Sequence, residues 1–377
     1  MLRQGIDDFL ASGHSLDEAE ALAQPLGDQN SEKGNRKSKA EGLVELLLGC
    51  GAEFFRDQRG DAFCSLPGNR TKIVSLKSRE FRNWVCFLCF RSLGEVCNSE
   101  TLHSVTNILS GIAICECPEH RLFTRVALGL DGIYYDLGDG RAARVTGEGW
   151  KIIDKPPILF RHWPHQRIQV EPIAGGNLKD ILVFINIPGG EMQLIFLVYL
   201  VVVLIPDIPS LVLITHGDQG SGKTTAFRQI KALLDPSMMP TLAPPGNLRD
   251  FVITAQQHYC VFLDNLTILP DWLSDALSRL STGEGMSCRA LYTDEDTAVF
   301  AMRRAVGING INLVAHKADL LDRALILSFE RISDENRLSE KKLWARFEAM
   351  RGRLLGALFD CLVKTMREYP KVQLDSL

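Results

Sequence analysis

The chain has no surplus of basic charge: 42 Lys and Arg stand against 46 Asp and Glu, a formal charge of −4. No global positive field advertises a polyanionic partner, so contact with a phosphate backbone has to come from a local patch or a ring of charges. Collagen-like periodicity and low-complexity tracts are absent. Ten cysteines in 377 residues are too few for a disulfide-dependent miniature scaffold. The start, Met1-Leu2-Arg3-Gln4-Gly5-Ile6-Asp7-Asp8, lacks the apolar core of a secretory signal, which makes a reducing cytoplasm the expected compartment. Long apolar runs are scarce too. The longest, residues 194–205, has 12 members and is broken by Pro206, Asp207 and Pro209, whereas a spanning helix needs ~20. A buried helix followed by a buried strand is expected there, and no membrane partner.

What is present is an ordinary globular composition, 46% hydrophobic and 23% charged, with length for two or three domains. Cys86 and Cys89 form a CxxC, but within Phe81-Arg82-Asn83-Trp84-Val85-Cys86-Phe87-Leu88-Cys89-Phe90, a pattern of buried helix rather than of a zinc-binding turn. Residues 1–42, with the polar stretch 29–39, read as a flexible tail and linker. Residues 43–185 read as an accessory α+β domain. Helices are expected from 43, over 79–92 and over 99–113, and short strands at 62–66, 72–76, 122–130, 133–137, 144–146 and 150–153. Residues 186–338 read as α/β, with buried strands at 211–215, 259–263 and 305–308 separated by helices such as 272–280. That order implies a mainly parallel sheet with helices on both faces. A C-terminal helical segment, 339–377, completes the chain.

One string carries chemistry. Gly217-Asp218-Gln219-Gly220-Ser221-Gly222-Lys223-Thr224 matches GxxxxGK[ST] and is followed by Thr225. Chance would produce it about once in a hundred chains of this length, and here it follows an aliphatic strand and opens a helix, as the motif requires. Its glycines let backbone amides wrap phosphates, Lys223 is a mobile charge for the β and γ groups, and the Thr224 hydroxyl is a hard ligand for Mg²⁺. ATP and Mg²⁺ are the expected cofactors. Forty residues beyond Thr224, Val261-Phe262-Leu263-Asp264 ends an apolar strand in a carboxylate suited to the metal's water shell. Asn265 comes next, where many ATPases have an acid. An amide orients water but cannot take its proton, so hydrolysis is expected to be slow, or to use Asp271 or Asp275, or to rest on positioning alone.

Beyond these two boxes the chain resembles superfamily 3 and related AAA+ helicases, above all the helicase part of phage- and plasmid-type primase-helicases. Leu280-Ser281-Thr282-Gly283-Glu284-Gly285-Met286-Ser287-Cys288-Arg289 resembles the family's third motif, which leads into a hairpin projecting into a ring's pore. The resemblance gives Arg289 a nucleic-acid role. It makes Asn309, in Val306-Gly307-Ile308-Asn309, a sensor of the γ-phosphate, and Arg323, in Asp319-Leu320-Leu321-Asp322-Arg323, a finger for the neighbouring subunit. Each has a plainer reading: a solvated charge for Arg289, a strand-end cap for Asn309, a salt bridge to Asp319 or Asp322 for Arg323. Gly5-Ile6-Asp7-Asp8-Phe9-Leu10-Ala11-Ser12-Gly13 resembles the tail of a TOPRIM-like primase domain, which implies a primase partner.

The resemblance therefore implies a P-loop ATPase of AAA+ type, hexameric, acting as a helicase or translocase on single-stranded or forked DNA in phage or mobile-element replication. Two alternatives stay open: an ATP-binding switch or assembly factor with little hydrolysis, and a degenerate prophage remnant. A small-molecule kinase is disfavoured because no arginine-rich lid follows the loop.

Overall fold

The structure is a computed structural model that describes residues 38–206, 208–289, 297–310, 315, 317–333, 335 and 338–372, with backbone alone at 69, 287–289 and 297–299. The tail 1–37 and the primase-like stretch within it lie outside these residues, as does the end beyond 372.

The first described unit is helix α1 (Lys39–Gly49), antiparallel strands β1 (Glu53–Arg56), β2 (Ala62–Leu66) and β3 (Asn69–Ser75), then α2 (Arg79–Leu93) and α3 (Ser99–Cys115). The boundary expected at 43 falls inside α1. Ser38 and Glu41 form a reciprocal capping box that starts this helix four residues earlier. Leu43, Leu47, Phe54, Cys64, Phe81, Cys89 and Leu109 make one core, so the CxxC pair does lie on a packed helix.

Next come β4 (Leu122–Phe123), β5 (Val126–Gly129), β6 (Gly132–Asp136), β7 (Ala142–Val145), β8 (Trp150–Ile153) and β9 (Leu159–Phe160). Strands β5 to β8 form an antiparallel meander, while β4 pairs with β9. The strand expected over 122–130 is split in two, because Arg125 takes a left-handed backbone (φ 62°).

A six-residue 3-10 turn (Leu178–Val183) precedes α4 (Glu191–Val202), the helix expected from the apolar run. Among the described residues no helix is long and apolar enough to cross a membrane. Then follow β10 (Val212–Gly217), α5 (Lys223–Leu234), α6 (Leu248–Gln257), β11 (Cys260–Leu266), α7 (Asp271–Thr282), β12 (Met286–Arg289), β13 (Thr297–Phe300), β14 (Ala305–Gly310), α8 (Ala318–Leu321), β15 (Ala324–Phe329) and α9 (Glu340–Glu368).

Strands β11, β14, β10 and β15 lie side by side in that order, every pair parallel. Period-two alternation gives the sheet two apolar faces. Val212, Ile214, Val261, Leu263, Val306 and Ile308 pack on α6 and α7, whereas Leu213, Phe262, Leu327 and Phe329 pack on α5, α4 and α9. Helices thus cover both faces, as the βα alternation implies. Strand β15 is the member that the sequence reading omits. The second core is shared with the meander through Val126, Ile133, Tyr135 and Val145. Helix α9 carries that contact, with Phe359 against Tyr135 and Trp150, and with Trp150 Nε1 donating to Asp360 at 2.8 Å.

Candidate functional site

The site forms where the parallel strands end, the edge at which open α/β sheets bind ligands. Strand β10 stops at Gly217, whose φ of 140° and nearness to the Phe329 carbonyl exclude any side chain: a Cβ would sit 2.1 Å from that oxygen. The loop 217–222 then turns into α5, with Gly220 and Gly222 left-handed. Asp218, Gln219 and Gly220 are exposed, while Ser221 is buried. The loop is also held from the side. Asn186 Nδ2 donates to the carbonyls of Ser221 (3.1 Å) and Glu330 (2.6 Å), tying the turn to the end of β15. No motif marks Asn186; only its place in the fold does.

Lys223, 8% exposed, donates from Nζ to the carbonyls of Gly217 (2.7 Å) and Asp218 (2.9 Å) and to Ser221 Oγ (3.3 Å). Burial lowers its pKa, an effect that Asp218 and Asp264 oppose. Thr224 and Thr225 begin the helix. Thr224 Oγ1 donates to Asp264 Oδ1 at 3.1 Å. Asn309 Nδ2 donates to the same carboxylate oxygen and, at 3.3 Å, to Thr224 Oγ1. Register explains this meeting: Leu263 faces Ile308 across β11 and β14, and Asn309 faces Thr215 across β14 and β10. The next residue on β11 and the last polar one on β14 therefore arrive together beside the helix.

Three sequence candidates, Thr224, Asp264 and Asn309, are thus in mutual contact, next to the loop that carries Lys223. Asn265 follows Asp264 in a left-handed conformation (φ 62°), exposed, within a register shift between Leu263 and Leu266. Asparagine tolerates this geometry better than most residues, and such an irregularity re-aims side chains at a strand end. Asp275 is engaged elsewhere, bound to Lys317 at 2.7 Å. Arg323 pairs with Asp319 at 3.1 Å, one helical turn away, so within a single chain the salt-bridge reading describes it. Arg289 ends β12, which pairs antiparallel with β13 as the hairpin reading expects; its side chain lies outside the described set.

The donor set suits a small hard cation. Thr224 and Asp264 offer a hydroxyl and a carboxylate oxygen 3.1 Å apart, close to the edge of an octahedron with metal–oxygen bonds of about 2.1 Å.

Behind the site lies a buried ionic network. Asp235 caps the far end of α5, accepts from Arg125 Nε (3.1 Å) and from the amides of Tyr259 (2.9 Å) and Cys260 (3.1 Å), and lies 4.0 Å from Lys231. Burial pushes the Asp235 carboxyl up; Arg125 and Lys231 more than offset this and hold it below the usual carboxylate range. Lys231 Nζ also reaches the Cys260 carbonyl (2.6 Å) and His258 Nδ1 (3.2 Å). His258 is 1% exposed, and burial, then Lys231 and His165, lower its pKa to about 3. An unfolded histidine titrates near ~6.5, so below that pH the unfolded chain takes a proton that the folded one refuses. Stability contributed by a neutral His258 is complete above pH ~6.5 and is lost as pH falls toward 3. Melting temperatures at pH 7.5 and 5.0 should therefore diverge less for His258→Asn than for the natural chain.

The model of the family "Actinomycete integrative conjugative element replication protein" matches residues 178–375, just over half of the chain and all of the parallel sheet. No curated protein matches. Among solved structures the chain is similar to the C-terminal region of NrS-1 (13% identity, TM-score 0.46, covering 88% of this chain and 75% of that one). It is also similar to SCCmec type IV Cch, titled an active helicase (12%, 0.39, 85% and 60%), and to JCV helicase (14%, 0.30, 50% and 52%). These TM-scores are too low to establish a shared fold. The family match is what assigns the chain: it belongs to the replication proteins of actinomycete integrative conjugative elements.

Proposed function

We propose that this replication protein is a Mg²⁺-ATP-dependent motor, a helicase or translocase that acts on DNA during replication of its element. The observation that carries the reading is the convergence of Thr224, Asp264 and Asn309 beside the Lys223 loop at the ends of three parallel strands. Phosphoryl transfer needs positioning and charge stabilisation more than covalent help, and these residues supply both. Backbone amides at the start of α5 would hold the phosphates. The Lys223 ammonium would exchange the neutral carbonyls it now contacts for charged oxygens, a stronger class of hydrogen bond. Thr224 and Asp264 would hold the cation, which when bound offsets charge on the phosphate oxygens. Asn309 keeps the Asp264 carboxylate turned toward Thr224. Arg323 is proposed to serve a neighbouring copy in a ring. Its half-exposed pairing with Asp319 contributes little in solvent, so a γ-phosphate would displace it readily.

Asn265 favours a second reading, an ATP-bound switch with little turnover, because no carboxylate follows Asp264 to take a proton from water. ATPase rate with and without single-stranded DNA separates the two. A motor should be stimulated severalfold and should lose turnover in Asp264→Asn. Tight ATP binding with a slow rate that DNA leaves unchanged would make the chain a switch.

A further inference from the structure

Two adjoining cavities, ≈ 230 and ≈ 200 Å³, lie between the N-terminal unit and the segment that leaves β13; both are lined by Gln58, Leu122, Thr124 and Arg304. Their charge is one-sided. Arg121 and Arg303 line the first, Arg59 and Arg161 the second, and Arg304 both. The single carboxylate in either lining, Asp57, is taken by Arg59 at 3.4 Å; nearby Asp61 pairs with Lys77. Among the described residues, the other four arginines have no carboxylate partner. Arg303 donates to the carbonyls of Thr282 and Pro206, and Arg304 to those of Ala255 and Arg303. Those neutral acceptors fix the side chains without neutralising them. The Arg161 guanidinium carbon lies over Trp163 (4.0 Å to the ring centre) and Phe63 (4.9 Å), and that of Arg121 over Phe123 (5.0 Å). Trp163 Nε1 is buried without a hydrogen-bond partner among the described residues.

We infer that this arginine cleft binds the sugar–phosphate backbone of a single-stranded nucleic acid at a site separate from the ATP loop. Four guanidiniums, pre-ordered by carbonyls and aromatic faces and without a directly paired carboxylate among the described residues, match a chain of phosphodiesters, and guanidinium is the group best shaped for phosphate oxygens. The half-buried rings of Phe123 and Trp163, each beneath one of them, would add apolar surface against which a base could pack. Burial first, with the neighbouring Arg59 adding to it, lowers the pKa of Arg161 and Arg304 to about 10, and the more distant Asp57 and Asp61 at Arg161 and Asp235 at Arg304 offset only part of this. A single charged monomer would meet only part of this surface, because the linings run on through shared walls. The cleft also continues directly into β13 through Phe300, Ala301 and Met302, so a strand lying in it would be led toward the hairpin. This is how a chain of net charge −4 would hold a polyanion: among the described residues, five arginines and one carboxylate line the cleft. The choice of nucleic acid over another polyanion rests on the replication reading.

The test uses the full chain without nucleotide, a fluorescently labelled single-stranded oligonucleotide, and anisotropy over a range of salt. Arg121→Gln with Arg161→Gln should weaken binding roughly tenfold and flatten the log K against log salt slope by about 1.4, two phosphate contacts at ~0.7 each. Arg91→Gln, exposed on α2, should change neither. Oligonucleotide should quench tryptophan emission in the natural chain, and Trp163→Phe should lose that part of the signal. If the double variant fails to fold, Arg121→Gln alone, at an exposed position, should change the slope by about 0.7. Natural affinity and slope in the variants, or a Trp163 signal that answers to tripolyphosphate and not to oligonucleotide, would overturn the inference. Failure of ATP binding with the cleft signal intact would sink the motor reading alone.

Discussion

Lys223→Ala is expected to abolish tight ATP binding and, with it, turnover. The ammonium is fixed by the Gly217 and Asp218 carbonyls and the Ser221 hydroxyl at the mouth of the loop, which places it where β and γ phosphates would lie against the start of α5. Charge-assisted hydrogen bonds are worth about 1.5–3 kcal/mol each, and one ammonium would make two or more of them. A loss of affinity on the order of a hundredfold or greater follows, readable by titration with a fluorescent ATP analogue. The fold should survive, since the Lys223 ammonium donates within its own loop and the helix behind it packs through Ala226, Phe227 and Ile230. Nucleotide affinity like that of the natural chain in a folded Lys223→Ala protein would remove the phosphate role from this loop.

The second large effect concerns stability. Asp235→Ala would leave Arg125 and Lys231 buried without their shared partner, with exposures of 1% and 0%, and would free the amides of Tyr259 and Cys260. Breaking a buried pair from one side costs about 3–5 kcal/mol, a large share of the 5–15 kcal/mol typical of whole domains. Thermal melting should fall by roughly 10 °C or more. Asp235→Asn, which keeps an acceptor for the amides, should fall less. Equal and small shifts in both variants would mean that the network contributes little.

How much of this was legible in the amino-acid string varies with the range over which each feature acts. The loop 217–224 and Asp264 could be read directly, because phosphate binding needs particular residue types at adjacent positions and the flanking strand and helix announce themselves by apolar runs. Asn309 was readable as a strand end, but its contact with Asp264 depends on β14 lying between β10 and β11, an order that parallel pairing sets and local pattern does not. Strand β15, Ala324-Leu325-Ile326-Leu327-Ser328-Phe329, is absent from the sequence reading: a short run of five apolar residues and one serine, without regular alternation, does not distinguish strand from helix. Arg125 and Asp235 are 110 positions apart, and the cleft arginines come from four separate stretches, so neither grouping leaves a trace in spacing. Arg125 also interrupts the strand expected over 122–130, because its backbone turns left-handed to send the guanidinium inward to Asp235 and not outward.

Asp235 ties the tail of α5 to the amides of Tyr259 and Cys260 at the start of β11, a restraint on how the two elements could move. The helix that begins at Lys223 and the strand that delivers Asp264 are fastened to each other at the end remote from the site, which would make them move together. If the proposed ATP-driven motor is right, a shape change between its nucleotide states would fall at the other end, in the glycine turn at 217–222 and in the left-handed step at Asn265. Those few backbone torsions are then the places where a working stroke would start.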